Sequence, residues 1–404
     1  MFDFLRRTRP PETAGTHLPE AKASAVGPLT AGRIRGPDMA VGRAGTGWAA
    51  PEGVSLVRAG FLGNPVGFRA VRLISEAAAA MPLVVQDCAR RYESHPVLDL
   101  ITRPNPAQGR AELFEALYAQ LLLSGNAYLE AVSDPDGTVQ ELHVLRSDRM
   151  QVVPGADGWP VAYDYTVGAA KHRFHLRDGR VPVCHIRSFH PTDDHYGLSP
   201  LEAARRAVEV HNAASHWSKA LLDNAARPSG AIVYKGENGH GSMSAEQFER
   251  LQAEMEAHHT GARNAGRPML LEGGLDWKPM GFSPSDMEFQ KTKETAAREI
   301  AIAFGVPPML LGIPGDATYA NYQEANRAFY RLTVLPLAAR VSAAVAHWLS
   351  GCIPGEVDLK PDLDQVPALA VEREQQWRRI GAASFLSDAE KRVLLGLPPL
   401  VEGA

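Results

Sequence analysis

The segment FGVPPMLLGIPGDATYANYQEANRAFYR, residues 304–331, separates two strong helical patterns by a run of mostly small residues. Gly305 followed by Pro307 ends the first pattern, because glycine supplies a helix C-cap and proline cannot continue a helix. The second pattern starts at Tyr322, from which apolar residues recur at helical spacing. The segment therefore predicts two long helices joined by a mobile and nearly uncharged loop.

The helix before the loop is predicted for residues 285–305. Ser285 is its expected N-cap, and Glu288 stands three residues later, as in a capping box. Glu294 and Arg298 have the spacing of an ion pair on the polar side of the helix. The apolar side is formed by Ala296, Ile300 and Phe304.

The helix after the loop is predicted for residues 322–350 and carries Pro336 in its interior. A proline at such a position removes a backbone donor and clashes with the preceding turn, which costs about 3 kcal/mol unless the helix bends. We therefore predict a kink at Pro336, since sharp bends in helices concentrate at prolines.

A third long helix is predicted for residues 198–226, with Ser199 placed to cap it and Pro200 in its first turn. One of its faces is rich in alanine, which allows close approach of a neighbouring helix, whereas its other faces carry charges. Such a helix is suited to packing beside copies of itself. Residues 227–284 then read as strand, glycine-rich turn, helix, loop and strand pair, a small α+β unit inserted between helices.

The N-terminal residues 1–55 are rich in Gly, Ala, Pro and Arg, and few large apolar side chains are available to offset the entropy of ordering them. We predict a flexible arm there. Residues 56–197 alternate helical and strand patterns with turn signals between them, and the tail carries a last short helix with Ser387 and Glu390 as its capping box. The predicted fold class is α+β.

The composition of the 404-residue chain is that of an ordinary globular protein, with 45% hydrophobic and 22% charged residues. A net charge of -4 argues against a chain that binds nucleic acid tightly, because such binding rests on Lys and Arg. The sequence pattern predicts neither a membrane span nor a secretory signal. The three cysteines lie far apart without a C-x-x-C pair, which favours free thiols in a reducing compartment.

The sequence offers little catalytic chemistry. It contains no G-x-x-x-x-G-K-[ST] loop for nucleotide phosphates, and no catalytic residue or cofactor is predicted. The segment HIRSFHPTDDHYG, residues 185–197, has five side chains of metal-ligand type: His185, His190, Asp193, Asp194 and His195. Their spacing does not bring ligands together as an i, i+4 helical pair does, so we expect a solvated loop and no metal. A metal-dependent hydrolase built on these residues stays open as an alternative.

Five segments, in this order, resemble the portal proteins of tailed phages of the HK97-like branch. They are YGLSPLEAARRAVEVHNAASHW at 196–217, ARPSGAIVY at 226–234, TKETAAREIAIAFGVPPMLLG at 292–312, ATYANYQEANRAFYRLTVLPL at 317–337 and FLSDAEKRVLLGLPPL at 385–400. The resemblance covers about residues 60 to 400, and the chain is closest in character to the portal of a phage-derived gene transfer agent. No single segment is decisive, but the five together are specific.

The resemblance implies a subunit of a ring, twelve copies in the particle, around a channel through which DNA enters and leaves a capsid. It assigns the following parts: arm 1–55, wing 56–197, stem helices 198–226 and 285–305, clip 227–284, tunnel loop 306–321, kinked wing helix 322–350 and a short helical crown 351–404. The implied partners are the ring itself, double-stranded DNA without sequence preference, the major capsid protein, the large terminase subunit and a head-tail adaptor. The implied location is a virion or phage-like particle, with assembly in the host cytoplasm and no membrane.

The same resemblance implies roles for single residues. The tunnel loop would face DNA with Gly312, Gly315, Asp316, Ala317, Thr318, Tyr319 and Asn321, and its lack of Lys and Arg would let DNA slide. Subunits would pack through the stem at Ala203, Ala207, Val210, Ala214 and Ile300, and Pro336 would bend the wing helix. Two alternatives remain: the loop is a plain surface connection, or the chain is another ring-forming head-tail connector.

Overall fold

The computed structural model describes residues 51–87, 90–176, 181–223, 230–234, 244–258, 275–279, 284–315, 318–351, 353 and 358–397. Residues 1–50, most of the predicted arm, lie outside this part of the chain. Residues 51–55 do not belong to an arm, because they form the first helix together with Leu56, which is buried. The prediction of an arm that continues to residue 55 is wrong by these five positions.

Helices dominate the described residues. They are α1 Pro51–Val57, α2 Pro65–Ala79, α3 Pro96–Thr102, α4 Arg110–Ser124, α5 Pro200–Ala203, α6 Arg205–Asp223, α7 Ala245–His258, α8 Pro284–Ala303, α9 Tyr319–Phe329, α10 Leu335–Ser350, α11 Ala370–Gly381 and α12 Asp388–Leu394. Two short π-helical segments, Arg58–Leu62 and Tyr330–Val334, precede α2 and α10.

The strands are short and form four small antiparallel sheets within the described residues. They are β1 Leu83–Gln86, β2 Arg91–Tyr92, β3 Asn126–Ser133, β4 Val139–Leu145, β5 Met150–Pro154, β6 Pro160–Val167, β7 Ala170–His175, β8 Val183–Arg187, β9 Gly230–Tyr234, β10 Leu275–Pro279 and β11 Asp358–Pro361. Their orders are β11-β1-β2, β4-β3-β8, β5-β6-β7 and β10-β9. Helices and antiparallel strands in one chain confirm the α+β fold class.

Strand β3 is buried on both faces. Ala127 and Leu129 point into the main core with α2 and α4, whereas Tyr128 points into a second cluster with residues of β5 and β6. Successive side chains of a strand point to opposite faces, so one strand serves two cores. The sheet β4-β3-β8 therefore lies between the helical layer and the sheet β5-β6-β7.

The C-terminal region contains a strand that the sequence analysis missed. β11 pairs antiparallel with β1, so that Val84 lies opposite Lys360 and Asp362 follows at the edge of the same sheet. Asp362 is buried and accepts a hydrogen bond from Arg91 Nη2 at 2.5 Å. Residues 351–404 are thus not purely helical, since their first strand completes a sheet begun near residue 83. The Ser387–Glu390 capping box of α12 is confirmed.

The single long helix predicted for residues 198–226 is interrupted at Ala204. This residue, with φ -83° and ψ 0°, ends α5, and α6 starts at the next position. Ser199 caps α5 through the Glu202 amide, as predicted. The hydrogen-bond ladder continues across the interruption, because the Ala204 amide donates to Pro200 and its carbonyl accepts from Val208. The interruption of the helix is therefore confined to Ala204.

One asparagine ties α6 to the N-terminal helices. The Asn64 carboxamide oxygen caps α2 by accepting from the amides of Val66 and Gly67, each at 3.0 Å. Its amide nitrogen lies 2.9 Å from Asn212 Oδ1 and 3.1 Å from His211 Nδ1 on α6. Because Asn64 and His211 are buried, these hydrogen bonds fix the position of the α6 turn at residues 211–212 relative to the core.

Helix α8 packs along α6, and the Trp217 and Phe289 rings stack between the two helices with centroids 4.3 Å apart. α8 begins at Pro284, so Ser285 lies inside the helix and not at the predicted cap position. Between the two helices, the described residues of 227–284 form β9, α7 and β10, and β9 pairs with β10. This agrees with the predicted α+β insert.

The π-helical turn Tyr330–Val334 ends two residues before Pro336. A wider turn there accommodates a proline, which cannot donate to the preceding turn; the kink itself stays a prediction. The stretch Tyr319–Ser350 is long and apolar enough to cross a membrane, but half of its most apolar window is buried inside the protein. Val341 and Leu349 are fully buried, as in a core helix.

Candidate functional site

The C-terminal end of α8 is fixed to the π-helical turn. Gly305 ends the helix with φ +67°, in the left-handed region that favours glycine. The Thr333 hydroxyl donates a hydrogen bond to the Gly305 carbonyl at 2.6 Å. A Cβ at Gly305 would lie 2.9 Å from that hydroxyl oxygen. The start of the connection between α8 and α9 is therefore a fixed point.

The first half of the predicted tunnel loop packs on the core. Val306 is buried, and Pro308–Leu311 forms a 3₁₀ turn whose Leu310 and Leu311 contact core residues. The predicted boundaries 306–321 are consequently too wide. Gly312, Pro314, Gly315 and Thr318 are exposed, and we call the segment 312–318 the α8–α9 loop.

The α8–α9 loop begins at Gly312, which has φ +74° and closes the 3₁₀ turn. The Arg298 guanidinium on α8 donates a hydrogen bond through Nη2 to the Pro314 carbonyl of the loop. The predicted Glu294–Arg298 ion pair does not form; Glu294 instead accepts from the Gln290 side chain at 3.2 Å. Arg298 therefore bonds the Pro314 backbone carbonyl and not the predicted Glu294 carboxylate.

The end of the loop is a helix cap. Thr318 accepts a hydrogen bond from the Asn321 amide and thereby starts α9 at Tyr319. Tyr319 and Asn321 are therefore helical residues, contrary to their predicted place in a loop, because the Thr318 cap starts the helix three residues before Tyr322. Tyr319 is 79% exposed. Asp316 and Ala317 lie outside the described residues.

The residues predicted to pack between subunits fall into two groups. Ala207, Ala214 and Ile300 are buried inside the chain itself, with relative exposures of 6%, 5% and 0%. They face the chain's own packing of α6 and α8 and are not available to a neighbouring copy, so their predicted role is wrong. Ala203 and Val210 are exposed and keep the predicted role as a hypothesis.

Just before α5 begins, the backbone makes a close contact between two glycines, Gly125 and Gly197, which we call the glycine junction. A Cβ built on Gly197 would overlap the Gly125 carbonyl oxygen, and a Cβ on Gly125 would overlap the Gly197 carbonyl. The Gly125 carbonyl accepts from the Ser188 amide at 2.8 Å. Asn126 Oδ1 accepts from the Gly197 amide at 2.9 Å. The sequence analysis did not relate Gly125 or Asn126 to Gly197.

The histidine-rich segment does not gather its ligand-type side chains. His185 is half-buried on β8, stacks on the Tyr128 ring and lies with its Nε2 3.0 Å from Asn126 Oδ1. Burial, with smaller contributions from the nearby Arg187 and His195, lowers the pKa of His185 to about 3. His190 accepts from the Thr192 amide in the exposed loop. Among the described residues, no three His, Cys, Asp or Glu side chains are arranged to hold a metal ion.

A comparison of the sequence with known families gives one match, the family described as "Phage portal protein", over residues 65–396. The match spans most of the chain and includes the glycine junction, α6, α8 and the α8–α9 loop. The chain belongs to the phage portal protein family. The resemblance that the sequence segments predicted is thereby confirmed.

Three similar proteins illustrate the relation. An uncharacterized protein of Rickettsia bellii (strain RML369-C) is 40% identical over 344 residues, covering 84% of this portal protein and 88% of the relative. The portal protein of Enterobacteria phage HK97 is 27% identical over 350 residues, covering 83% and 79% of the two chains. A solved chain from the "Neck of native GTA particle computed with C12 symmetry" is 72% identical, with a TM-score of 0.73, and the match covers 87% of this chain and 95% of that one.

Sequence reasoning missed the two polar contacts that position the loop of this portal protein. Arg298 was assigned to a helical ion pair by its spacing, and nothing in the spacing indicates a carbonyl sixteen residues later. Thr333 carries no motif, although a threonine beside a predicted helix break is a signal that it bonds a backbone group. Both contacts depend on how α8 and the π-helical turn meet in space.

Proposed function

We propose that this portal protein forms a closed ring of twelve copies in the neck of a capsid particle, around a channel through which double-stranded DNA is packaged and ejected. The observation that supports this most is the 72% identity to a chain from a particle neck that was computed with C12 symmetry. Because the match spans 87% of this chain, nearly all surfaces that a ring would use have a counterpart there. A gene transfer agent particle is the proposed setting, ahead of a phage virion.

The monomer leaves large apolar side chains exposed on the elements around the loop. Ile302 on α8 is 72% exposed, Leu332 in the π-helical turn is 68% exposed, and Val210 on α6 is 42% exposed. A head-to-tail ring needs two different faces on every copy, each covered by the next copy. Ala203, Val210, Ile302 and Leu332 are the residues we assign to such contacts, in place of the buried Ala207, Ala214 and Ile300.

The α8–α9 loop is proposed as the part that meets DNA. Gly312, Gly315, Asp316, Ala317 and Thr318, with Tyr319 and Asn321 at the start of α9, would line the channel. This set contains no Lys or Arg, so a ring of loops would touch DNA without a sum of phosphate attractions. The variant Asp316→Lys should leave rings intact but lower the number of DNA-filled particles, and added salt should ease the defect. Unchanged filling would return the loop to a plain surface connection.

The remaining partners and the lack of catalysis follow from the same role. We propose contacts with the major capsid protein, the large terminase subunit and a head-tail adaptor at the capsid vertex. ATP turnover during packaging would belong to a separate ATPase, since this sequence has no P-loop. ATP hydrolysis that persists through repeated purification of this chain would overturn that assignment.

The ring is tested by electron microscopy of the negatively stained protein together with light scattering after size exclusion. A particle with a central hole and a mass of about twelve chains is the expected result. A different closed ring without DNA-filled particles would favour another head-tail connector. Metal bound at one ion per chain, measured by elemental analysis, would favour the hydrolase alternative instead.

A further inference from the structure

The Arg298 guanidinium holds an unusual position for an exposed arginine. It projects from α8 toward the α8–α9 loop and donates to the Pro314 carbonyl, a neutral acceptor. Glu294, one turn earlier on the same helix, bonds Gln290 instead. Asp316, two residues after Pro314, lies outside the described residues. Among the described residues, this exposed positive charge therefore contacts the loop through a neutral carbonyl.

A phosphate is a better acceptor for this group than a carbonyl. Hydrogen bonds between ionised partners are about twice as strong as those between neutral ones, and guanidinium presents two parallel donors that match phosphate oxygens. The Pro314 carbonyl offers a single neutral oxygen. A phosphate that came within reach would compete for Arg298, and the Pro314 contact would be lost.

We propose that Arg298 is a binding residue for the phosphates of duplex DNA, and that it exchanges the Pro314 carbonyl for a phosphate when DNA occupies the channel. The inference rests on the proposed function, which places the loop beside DNA. Without DNA, Arg298 holds Pro314 and Gly315 close to α8. With DNA, the segment is released from α8. The loop's own residues would thus slide on DNA, while the adjacent helix supplies one exchangeable cation per subunit.

Three observations support this assignment over a purely structural role. The side chain is exposed, so a large ligand can reach it. Gly315 places no side chain beside it, and a Cβ there would make a tight contact of 3.3 Å with Arg298 Nη2. The contact also spans two elements that are anchored separately, because Thr333 fixes Gly305 while Arg298 alone links α8 to Pro314 among the described residues. Loss of the Arg298 bond therefore leaves the end of α8 in place.

The first experiment measures duplex binding by assembled rings as a function of salt. Each phosphate contact contributes about 0.9 to the slope of log K against log salt. Rings of Arg298→Gln should show a slope lower by about 0.9 for every subunit that contacts DNA at one time, and weaker binding at low salt. Arg298→Lys should keep the slope, because the charge remains, but bind more weakly, because the two-donor geometry is lost.

Arg378→Gln is the matched control, since Arg378 is an exposed arginine on α11 with its own helical partner, Glu374. It should leave the slope unchanged. An equal slope for wild type and Arg298→Gln would overturn the proposal. The failure of the proposed function looks different: if no rings form, or if wild-type rings do not bind duplex, the proposed function is overturned, and this inference with it.

The second experiment follows hydrogen exchange of the amides of Gly312 and Ile313, which bond Met309 and Pro308 in the 3₁₀ turn. Added duplex should speed this exchange in wild-type rings, because the Pro314 anchor is released. In Arg298→Gln rings the exchange should be fast already, and duplex should change it little. If duplex does not change the hydrogen-exchange rate in wild-type rings, the proposed change of the Arg298 acceptor from the Pro314 carbonyl to a phosphate is overturned.

Discussion

The glycine junction and the α8–α9 loop both connect a long helix to the rest of the portal protein, and both depend on glycine, but for different reasons. At the junction, Gly125 and Gly197 bring two backbones so close that neither position has room for a Cβ. At the loop, Gly312 supplies a left-handed turn in open space, with no atom within 4 Å of a built Cβ. Close contact requires glycine at both junction positions, with Gly125 also at φ +72°, whereas conformation alone requires it at Gly312.

From this difference we infer which connection is fixed and which can move. The junction is buried, and its backbone groups bond Ser188 and Asn126, so it holds the start of α5 against β3. Gly312, Pro314, Gly315 and Thr318 of the loop are exposed, and among the described residues one side chain, that of Arg298, bonds the loop to α8. A ring that must keep its shape while DNA passes would need the first kind of connection around its wall and the second kind facing its channel.

The largest expected effect comes from Gly197→Ala. The added Cβ overlaps the Gly125 carbonyl, so the Ser188 bond to that carbonyl must break or the two backbone segments must move apart. We expect a loss of about 3 kcal/mol or more in the free energy of unfolding. Gly312→Ala is the matched control, because it adds only a left-handed alanine, which costs about 1–2 kcal/mol. Denaturant unfolding of both variants tests this; similar losses would show that the junction is not defined by contact.

The next effect separates burial inside the chain from burial between chains. Ala207→Glu places a charge in the contact of α6 with the core, and we expect a loss of about 3 kcal/mol or more. Val210→Glu, one turn further along, changes an exposed position and should shift stability by less than about 0.5 kcal/mol. If α6 faces a neighbouring copy through Val210, this variant should fold but fail to form rings.

Unfolding curves test the predicted stability of both variants, and light scattering tests whether Val210→Glu forms rings. Stable, soluble Ala207→Glu monomers would contradict the packing of α6 described above. Intact Val210→Glu rings would remove Val210 from the proposed subunit contact, while leaving the ring itself untouched.

A third effect depends on pH and involves the junction through Asn126. His185 stays neutral in the folded protein down to a pKa of about 3, whereas the unfolded chain takes up a proton near the ordinary value of 6.5. The unfolded state therefore binds more protons between these two values, so stability should fall as pH drops below 6.5. At pH 5 the expected loss is about 2 kcal/mol, at 1.36 kcal/mol per pKa unit.

His185→Gln should flatten this dependence, because glutamine does not titrate and can still donate to Asn126. His190→Gln, in the exposed loop, is the control and should keep the wild-type dependence. Melting temperatures between pH 7 and 4 measure both. Parallel curves for wild type and His185→Gln would show that another group is responsible.

The helices and the fold class were predictable from the sequence, because apolar spacing, caps and prolines act locally. The Ser387 cap, the Ser199 cap and the end of α8 at Gly305 are of this kind. The pairing of β11 with β1 was not, since it joins residues almost three hundred positions apart and β11 is short. Local patterns carry no information about such distant partners.

The candidate site was predictable in outline only. The small residues after Gly305 indicated a loop, and the family resemblance gave it a role. The buried state of Ala207 was not visible, because an alanine-rich face fits equally well against the chain's own helices and against a neighbouring copy. The Arg298–Pro314 contact depends on the folding back of the loop on α8, and helical spacing favoured Glu294 as the partner.

The smallest expected effect is that of Gly315→Ala, and it gives the sharpest contrast with Gly197→Ala. Gly315 does not have a positive φ, and the nearest atom to its built Cβ is the flexible end of Arg298, at 3.3 Å. Alanine restricts the unfolded chain more than glycine does, which stabilises by about 0.4–1 kcal/mol where the native conformation suits it. The push on Arg298 offsets part of that gain, so we expect a change within about 0.5 kcal/mol of zero. The test is denaturant unfolding of both glycine variants in parallel. A loss near that of Gly197→Ala would mean that the loop is packed as tightly as the junction and cannot be the movable connection.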